Sequence, residues 1–455
     1  MDTRIENRGW VHSLAEQLCA LTRGPLPPAA VEAASHRLFH AVGVSLANNQ
    51  TPAAAVAWAA LARTPGHSFA FGHRERIAAE DAAFVNATIG HGSLLEDCGP
   101  GGLREGSHPG TFIIPAALAI AEEIDASGAA LARALVVGYE AVGRIGLAGP
   151  HDIVQRRFRP LGVMGAFGAA AAVADLLGAD PDQMAAALSI AANLAGGSTQ
   201  GIFEGSMEPY FQSAFAARNG IAAARLGIAG AQTATGSLEG EFGFFQTYGG
   251  VSGDPAPLFA DTDQLAITRL GTKSFAACLQ NQETVAVVVA ELDTPLSEPD
   301  VARVTIRRPA MGTNGLNSPG VSRSKPFGNM LMAQMSARFT AAAALLGKPV
   351  TSPMFFAEHH GDPEIERLTD RIALEPTDDG SVSVVVELTD GTVRTFDSDQ
   401  SGTLFPAPDR FPAMFTERAT PVLGSDAAKA RDMIANLDTL GSIRTLTAIF
   451  GEAAR

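Results

Sequence analysis

From the start of the chain to about residue 250, apolar residues recur every three or four positions, the spacing that puts them on one face of a helix. "PPAAVEAASHRLFHAVGVSLAN" (27–48) predicts a helix that begins at Pro27 and Pro28, where the missing N–H does no harm. "SGAALARALVVGYEAVGRIG" (127–146) predicts another, with Ser127 as N-cap and Glu140 four residues before Arg144 as a surface pair. "GAFGAAAAVADLLGAD", "DPDQMAAALSIAANLAG" and "SAFAARNGIAAARLGIAG" continue in the same style. Alanine on so many apolar positions predicts helices that approach one another closely. The weakly polar run Leu161 to Ala179 contains Asp175 and a stop at Gly178, so it reads as a buried helix and not a membrane span.

After about residue 265 the period changes. "VARVTIRR" (301–308) alternates as a strand does, and "SVSVVVELTDGTVRTFDSD" (381–399) reads as a hairpin with a primed turn at Asp390-Gly391. "NMLMAQMSARFTAAAALLGK" between them reads as one helix that stops at Gly347, and "SDAAKARDMIANLDTL" returns to helix. These patterns predict a mainly α protein. Residues 1–265, completed by 405–455, form a helical domain, and 266–404 form a smaller α/β domain.

Composition narrows the function classes. The 455 residues are 46% apolar and 18% charged, which suits a compact globular protein of two domains. A net charge of −15 argues against nucleic acid or an anionic membrane as partner, but leaves room for a small anion held by a local cluster of bases. Cys19, Cys98 and Cys278 follow no metal-finger spacing, and the opening "MDTRIENRGW" lacks the pattern of a signal peptide; a reduced, cytoplasmic setting is expected. No metal, nucleotide or nucleophile-elbow motif is present, so no cofactor is expected.

The chemistry concentrates in "SLLEDCGPGGLREGSHPG" (93–110), where Glu96, Asp97, Cys98, Arg104 and His108 lie among glycines. His108 precedes Pro109 and a helical run, and Arg159 precedes Pro160 and a second one. A helix that opens on proline offers free N–H groups and positive potential, and thus a place for a carboxylate. Each arrangement taken alone is an ordinary helix boundary.

Four stretches in order, "NATIGHGSLLEDCGPGGLREGSHPGTFIIPAALAIAEE", "RRFRPLGVMGAFGAAAAVADLLGADPDQMAAALSIAANLAGG", "TKSFAACLQNQ" and "MLMAQMSARFTAAAALLGK", resemble the landmarks of the MmgE/PrpD family. That family includes dehydratases of methylcitrate, decarboxylases of cis-aconitate and epimerases of iminodisuccinate. The resemblance implies an all-helical core domain, an α/β lid domain and a homodimer. His91, Asp97 and His108-Pro109 match the family's H-x-x-D-x-D-D and T-H-P elements, whereas Leu94 stands at the first acidic position and Glu96 at the second. Arg159 replaces a histidine and Glu208 a lysine, while Lys273 matches the lid lysine.

The resemblance thus implies a cofactor-independent lyase, a dehydratase or decarboxylase, that acts on a small hydroxy- or unsaturated polycarboxylate by proton transfer beside a carboxylate. An epimerase of a dicarboxylate and a non-catalytic carboxylate binder are the alternatives. The expected catalytic residues are His108, Asp97, Lys273 and Glu208, with Asp97 orienting His108 or acting as a second acid/base. Arg159, His91, Arg104 and Cys98 are the expected substrate-binding residues, although Cys98 also fits a buried bystander. Lys273 is expected to face His108 and Arg159 across a cleft between the domains, and Glu208 to disfavour a fully carboxylated, citrate-like substrate.

Overall fold

The computed structural model describes residues 8–99, 107–149, 153–260, 264–311, 315–318, 320–397 and 405–452. The chain is 58% helical. The first part runs through α1 (Trp10–Leu21), α2 (Pro28–Ala47), α3 (Pro52–Ala60), a small β1–β2 pair (Pro65–Phe69, Arg76–Ile77), α4 (Ala79–Gly92), β3 (Asp97–Cys98) and α5 (Gly110–Glu123). It continues with α6 (Gly128–Ala148), α7 (Pro160–Leu176), α8 (Pro181–Asn193), α9 (Gln200–Glu204), α10 (Glu208–Ile228) and α11 (Pro255–Phe259). One apolar core gathers side chains from Val11 to Leu270 and again from Phe411 to Phe450. The last helices, α17 (Phe411–Leu423), α18 (Asp426–Ala435) and α19 (Ile443–Glu452), therefore pack back onto the first ones.

A second core runs from Phe275 to Phe396, with Val44 and Leu95 of the first part joining it. After β4 (Gly271–Thr272) it comprises α12 (Gln282–Glu291), β5 (Val301–Pro309), α13 (Met330–Met335), α14 (Ala337–Leu345), α15 (Pro353–His359), α16 (Pro363–Thr369), β6 (Ile372–Thr377), β7 (Ser383–Leu388) and β8 (Val393–Asp397). The sheet order is β6-β5-β7-β8; β5 lies parallel to β6 and antiparallel to β7.

Local chemistry accounts for the boundaries. Ser127 caps α6 by accepting from Ala130 N, and α7 starts on Pro160 as N1. Leu161 to Ala174 are all buried, and among the described residues no helix is long and apolar enough to cross a membrane. Three details differ from the sequence reading. Glu140 and Arg144 form a buried pair at 2.7 Å, because Arg144 also donates to Leu258 O and Glu140 accepts from Ala266 N, which ties α6 to the chain beyond it. Ser336 splits 329–348 into α13 and α14, its hydroxyl accepting from Phe339 N. The β7–β8 turn is not primed: of its residues only Gly391 has positive φ, at 86°, so the loop is a type I turn followed by one left-handed residue.

Close helix approach is visible at glycines. A Cβ on Gly138 of α6 would lie 2.7 Å from Gly168 O of α7, and one on Gly220 of α10 would collide with the Ala169 methyl and lie 2.8 Å from Ala170 N. Gly90 of α4 has nothing within 4 Å of that position. The same substitution is therefore expected to act with opposite signs. Gly90→Ala should stabilise by up to about 1 kcal/mol through helix propensity, and Gly220→Ala should destabilise by about 1–3 kcal/mol through overpacking. Urea unfolding of the two variants measures this, and equal signs would contradict the close α7–α10 contact.

Candidate active site

Two backbone devices build the site. α4 ends at Gly92, and Leu94 then takes a left-handed conformation, φ 53°, that turns the chain back on itself. A leucine there is strained by about 1–3 kcal/mol, and the turn brings Glu96 beside His91, five residues earlier. β3 then pairs antiparallel with β4, Asp97 opposite Thr272 and Cys98 opposite Gly271, and Lys273 N donates to Glu96 O at 3.2 Å. This short ladder carries Lys273 to Glu96 across 177 residues of sequence.

Buried side chains clamp the ladder. Arg37 of α2 donates to Leu270 O, Gly271 O and Thr272 Oγ1 at 2.6, 3.1 and 3.0 Å. Gln282 holds the turn after Lys273, accepting from Ser274 and Phe275 N and donating to Phe275 and Ala277 O. His40 bonds the Leu95 carbonyl and receives Arg418 of α17 on its other ring nitrogen, so the last part of the chain also fixes the segment that bears Glu96.

The side chains form one chain of contacts. Lys273 Nζ donates to Glu96 Oε2 at 2.7 Å, and Glu96 Oε1 lies 2.5 Å from His91 Nδ1, off the axis of an ideal hydrogen bond. Arg159, the N-cap residue of α7, donates to His91 Nε2 at 2.5 Å, to Pro209 O at 2.5 Å and to Gln212 Oε1 at 3.3 Å. Guanidinium has no acceptor, so His91 Nε2 must be unprotonated and its proton must sit on Nδ1, toward Glu96. All four residues are buried, Lys273 completely.

His108 stands beside this chain, its ring 5.8 Å from that of His91. Its Nδ1 donates to Asp97 O at 2.9 Å, which leaves the lone pair on Nε2. Tyr210 of α10 meets His91 from another side, ring to ring at 6.2 Å, and its hydroxyl lies 3.5 Å from Gln334 Oε1.

Charge follows from this packing. Burial, and then Arg159, push His91 down to about 4; burial, and then Lys273, push His108 down to about 3. Both rings are neutral near pH 7. Burial opposes the charge on Glu96, but the Lys273 ammonium overcomes it and holds the carboxyl well below the usual range. Burial lowers Arg159 to about 10, which leaves it cationic. Two cations thus share one carboxylate, and the cluster carries one excess positive charge.

The structure brings together His91, Asp97, His108, Arg159 and Lys273, but not always in the expected manner. The helix start after Pro109, expected to receive a ligand carboxylate, is filled by Asp97, whose Oδ1 accepts from Gly110 N at 2.9 Å while Tyr139 donates to Oδ2 at 2.5 Å. Asp97 steadies His108 through its backbone carbonyl and not its carboxylate. Arg159 grips the chain itself. Cys98 is fully buried in β3, its thiol pushed up to about 12 by burial. Glu208 does not join: it is exposed at the first position of α10, where a bond from Ser206 lowers its pKa, and Tyr210 two residues on is the side chain that turns inward. Arg104 lies outside the described residues. Lys273 and Arg159 are both buried, and Lys273 lies close enough to His108 to lower its pKa. Glu96 and Tyr210 are the members that the sequence reading did not assign; Glu96 stood at an acidic position of the matched loop, and nothing in the sequence marked Tyr210.

Comparison with known proteins gives the family. The MmgE/PrpD N-terminal domain family matches residues 12–254, more than half of the chain. The chain belongs to the MmgE/PrpD family. It is 28% identical over 337 residues to the human cis-aconitate decarboxylase, covering 70% of this chain and 67% of that protein. It is 27% identical over 338 residues to the mouse cis-aconitate decarboxylase, covering 70% and 66%. A cis-aconitate decarboxylase-like protein of Aspergillus oryzae is 30% identical over 223 residues, covering 47% and 45%. The chain thus spans about two thirds of the mammalian relatives' length and less than half of the fungal one's. Among the described residues no group of three or more His, Cys, Asp or Glu side chains is placed to hold a metal ion.

The neutral histidines of this MmgE/PrpD site set a pH dependence. Unfolded histidine titrates near 6.5, so between about pH 6.5 and 4 the unfolded chain binds protons that folded His91 refuses. Stability is then greatest above that range and falls with pH by up to about 1.4 kcal/mol per unit for each such histidine. Buried His40, also lowered, adds to the slope. Urea unfolding at pH 7, 6 and 5 should show this fall, and His91→Gln should make it shallower by about one histidine's share. A variant slope equal to that of the wild type would contradict a buried neutral His91.

Proposed function

We propose that the protein is a lyase that acts on a small carboxylate by proton transfer at a carbon next to a carboxylate, with His108 as the proton-transferring group and no cofactor. The observation that carries the reading is the His108 ring, held through Nδ1 with its Nε2 lone pair available, next to a buried Lys273–Glu96 pair. An imidazole with a depressed pKa accepts a proton only when an anion arrives to stabilise the imidazolium. A substrate carboxylate supplies that charge, so proton affinity rises as the site fills.

Lys273 has three N–H donors and gives one to Glu96, which leaves donors for a substrate carboxylate and for the negative charge that develops on it. In a dehydration, Nε2 takes the proton next to the carboxylate, the C–H pair becomes the new double bond, and the hydroxyl leaves as water after receiving a proton. In the decarboxylation of a β,γ-unsaturated acid, the bond to the departing carboxylate breaks and its electron pair forms a new double bond. The old π pair takes a proton from the imidazolium at the far carbon, and carbon dioxide leaves. The names of the relatives favour the second course. A buried site favours it also, since loss of carbon dioxide spreads charge that water would otherwise hold on the carboxylate.

The single excess positive charge supports a substrate with fewer carboxylates than citrate. That argument comes from Glu96 and not from Glu208. Exposed Phe203, Phe215 and Leu226 support the homodimer that accompanies the reading.

Proton NMR in deuterium oxide with cis-aconitate, citrate and matched dicarboxylates tests the proposal. Loss of carbon dioxide or water with deuterium in the product is expected, and His108→Gln should lower turnover about 10²- to 10⁴-fold while unfolding as the wild type does at neutral pH. Deuterium uptake without loss of a group would indicate an epimerase. No reaction with any acid, or an unchanged rate in His108→Gln, would overturn the assignment.

A further inference from the structure

The Asp97 carboxylate takes no part in the proton chemistry above, yet it is buried and held from two sides. Tyr139 of α6, itself buried, donates to Oδ2 at 2.5 Å, and Gly110 N donates to Oδ1 at 2.9 Å. Burial raises the Tyr139 hydroxyl well above its usual pKa, so the tyrosine is the donor of this pair. The fit is tight. A Cβ on Gly110 would lie 2.8 Å from Tyr139 Oη and 2.9 Å from each Asp97 carboxylate oxygen.

Asp97 thereby holds both ends of the corner that carries His108. Its backbone carbonyl accepts from His108 Nδ1 at 2.9 Å, and its carboxylate takes the N–H of Gly110 two residues on. Pro109 between them has no N–H to contribute. The tautomer of a neutral imidazole follows the bond that one ring nitrogen makes, so the lone pair stays on Nε2 only while Asp97 O stays opposite Nδ1.

The carboxylate also has a competing partner. Arg37 and Asp97 both border a cavity of about 40 Å³, together with Gly110 and Thr111. Arg37 Nε is buried with no hydrogen-bond partner among the described residues, and the guanidinium favours the charged form of Asp97. The space exceeds the roughly 10–15 Å³ that one water needs, which gives the carboxylate room to turn. With one of its two donors gone, it would be drawn toward this cation and leave Gly110 N.

We infer that Tyr139 is a positioning residue for His108: it holds Asp97 on Gly110 N and away from Arg37, and so keeps the His108 proton on Nδ1 and the Nε2 lone pair free for substrate. The inference rests on the reading of His108 as the proton-transferring group.

Nitrogen-15 NMR of the full chain labelled in histidine, at pH 7 and without substrate, reads the tautomer directly, and His108→Gln identifies the His108 signals. Wild-type His108 should show a protonated Nδ1 and a bare Nε2. In Tyr139→Phe the proton should be shared between the two nitrogens or move to Nε2. For the acid of the panel above that reacts, kcat should fall about 10- to 100-fold while KM changes less than about twofold. Asp97→Ala should shift the tautomer in the same direction, although it keeps the carbonyl that His108 bonds. Asp97→Asn still accepts from Gly110 N and carries no charge toward Arg37, so it should keep the wild-type tautomer. An unshifted tautomer in Tyr139→Phe, or in Asp97→Ala if the first variant does not fold, would overturn this inference alone. A shift in Asp97→Asn as large as that in Asp97→Ala would overturn the competition with Arg37 and the inference with it. A bare Nδ1 in the wild type would overturn both the inference and the role of His108.

Discussion

The Glu96 carboxylate, buried between the Lys273 ammonium and the His91 ring, is the interaction on which the rest of the site depends. An ammonium or a carboxylate alone at this depth would lose several kcal/mol of hydration. Each is tolerable because the other is there, and because β3 and β4 hold their backbones in register. Removing the Leu94 turn would point Glu96 elsewhere, and removing the β3–β4 ladder would withdraw Lys273. The strained leucine, the two-residue strands and the Arg37 and Gln282 clamps therefore serve one placement.

From that placement the electrostatics follow. Glu96 neutralises one of two cations, so the cluster presents one excess positive charge to a ligand. Its proximity fixes the His91 tautomer, which lets Arg159 reach His91 Nε2 and hold α7 against α4. His108 is neutral near pH 7. A buried counter-ion of this kind lowers the ligand charge that the site can hold.

Much of the architecture was legible because it rests on local rules: the 3.6-residue period of the first part, proline at the start of α2 and α7, Ser127 at its cap, and the alternation of β5 and β7. The site was legible where a residue sits at a recognisable boundary, as His108 and Arg159 do. It was not legible where position depends on contacts distant in sequence. Glu140 and Arg144 have the spacing of a surface pair, and only the packing of α6 against Ala266 and Leu258 buries them. Glu208 and Tyr210 share the start of one helix, and two residues of rotation, about 200°, decide which of them faces His91. Asp97 stands at an acidic position of the matched loop, yet its carboxylate caps the free N–H of Gly110. The role of Glu96 required knowing that β3 pairs with β4, a two-residue ladder with no sequence signature.

A double-mutant cycle on Glu96 and Lys273, read by urea unfolding at neutral pH, tests the central claim most directly. Glu96→Gln and Lys273→Met should each destabilise by about 3–5 kcal/mol, since each strands a buried charge. The double variant should be less destabilised than the two effects added, by about 2 kcal/mol or more. Additive losses would mean that the two groups do not compensate each other, and the charge balance assigned to the site would be wrong.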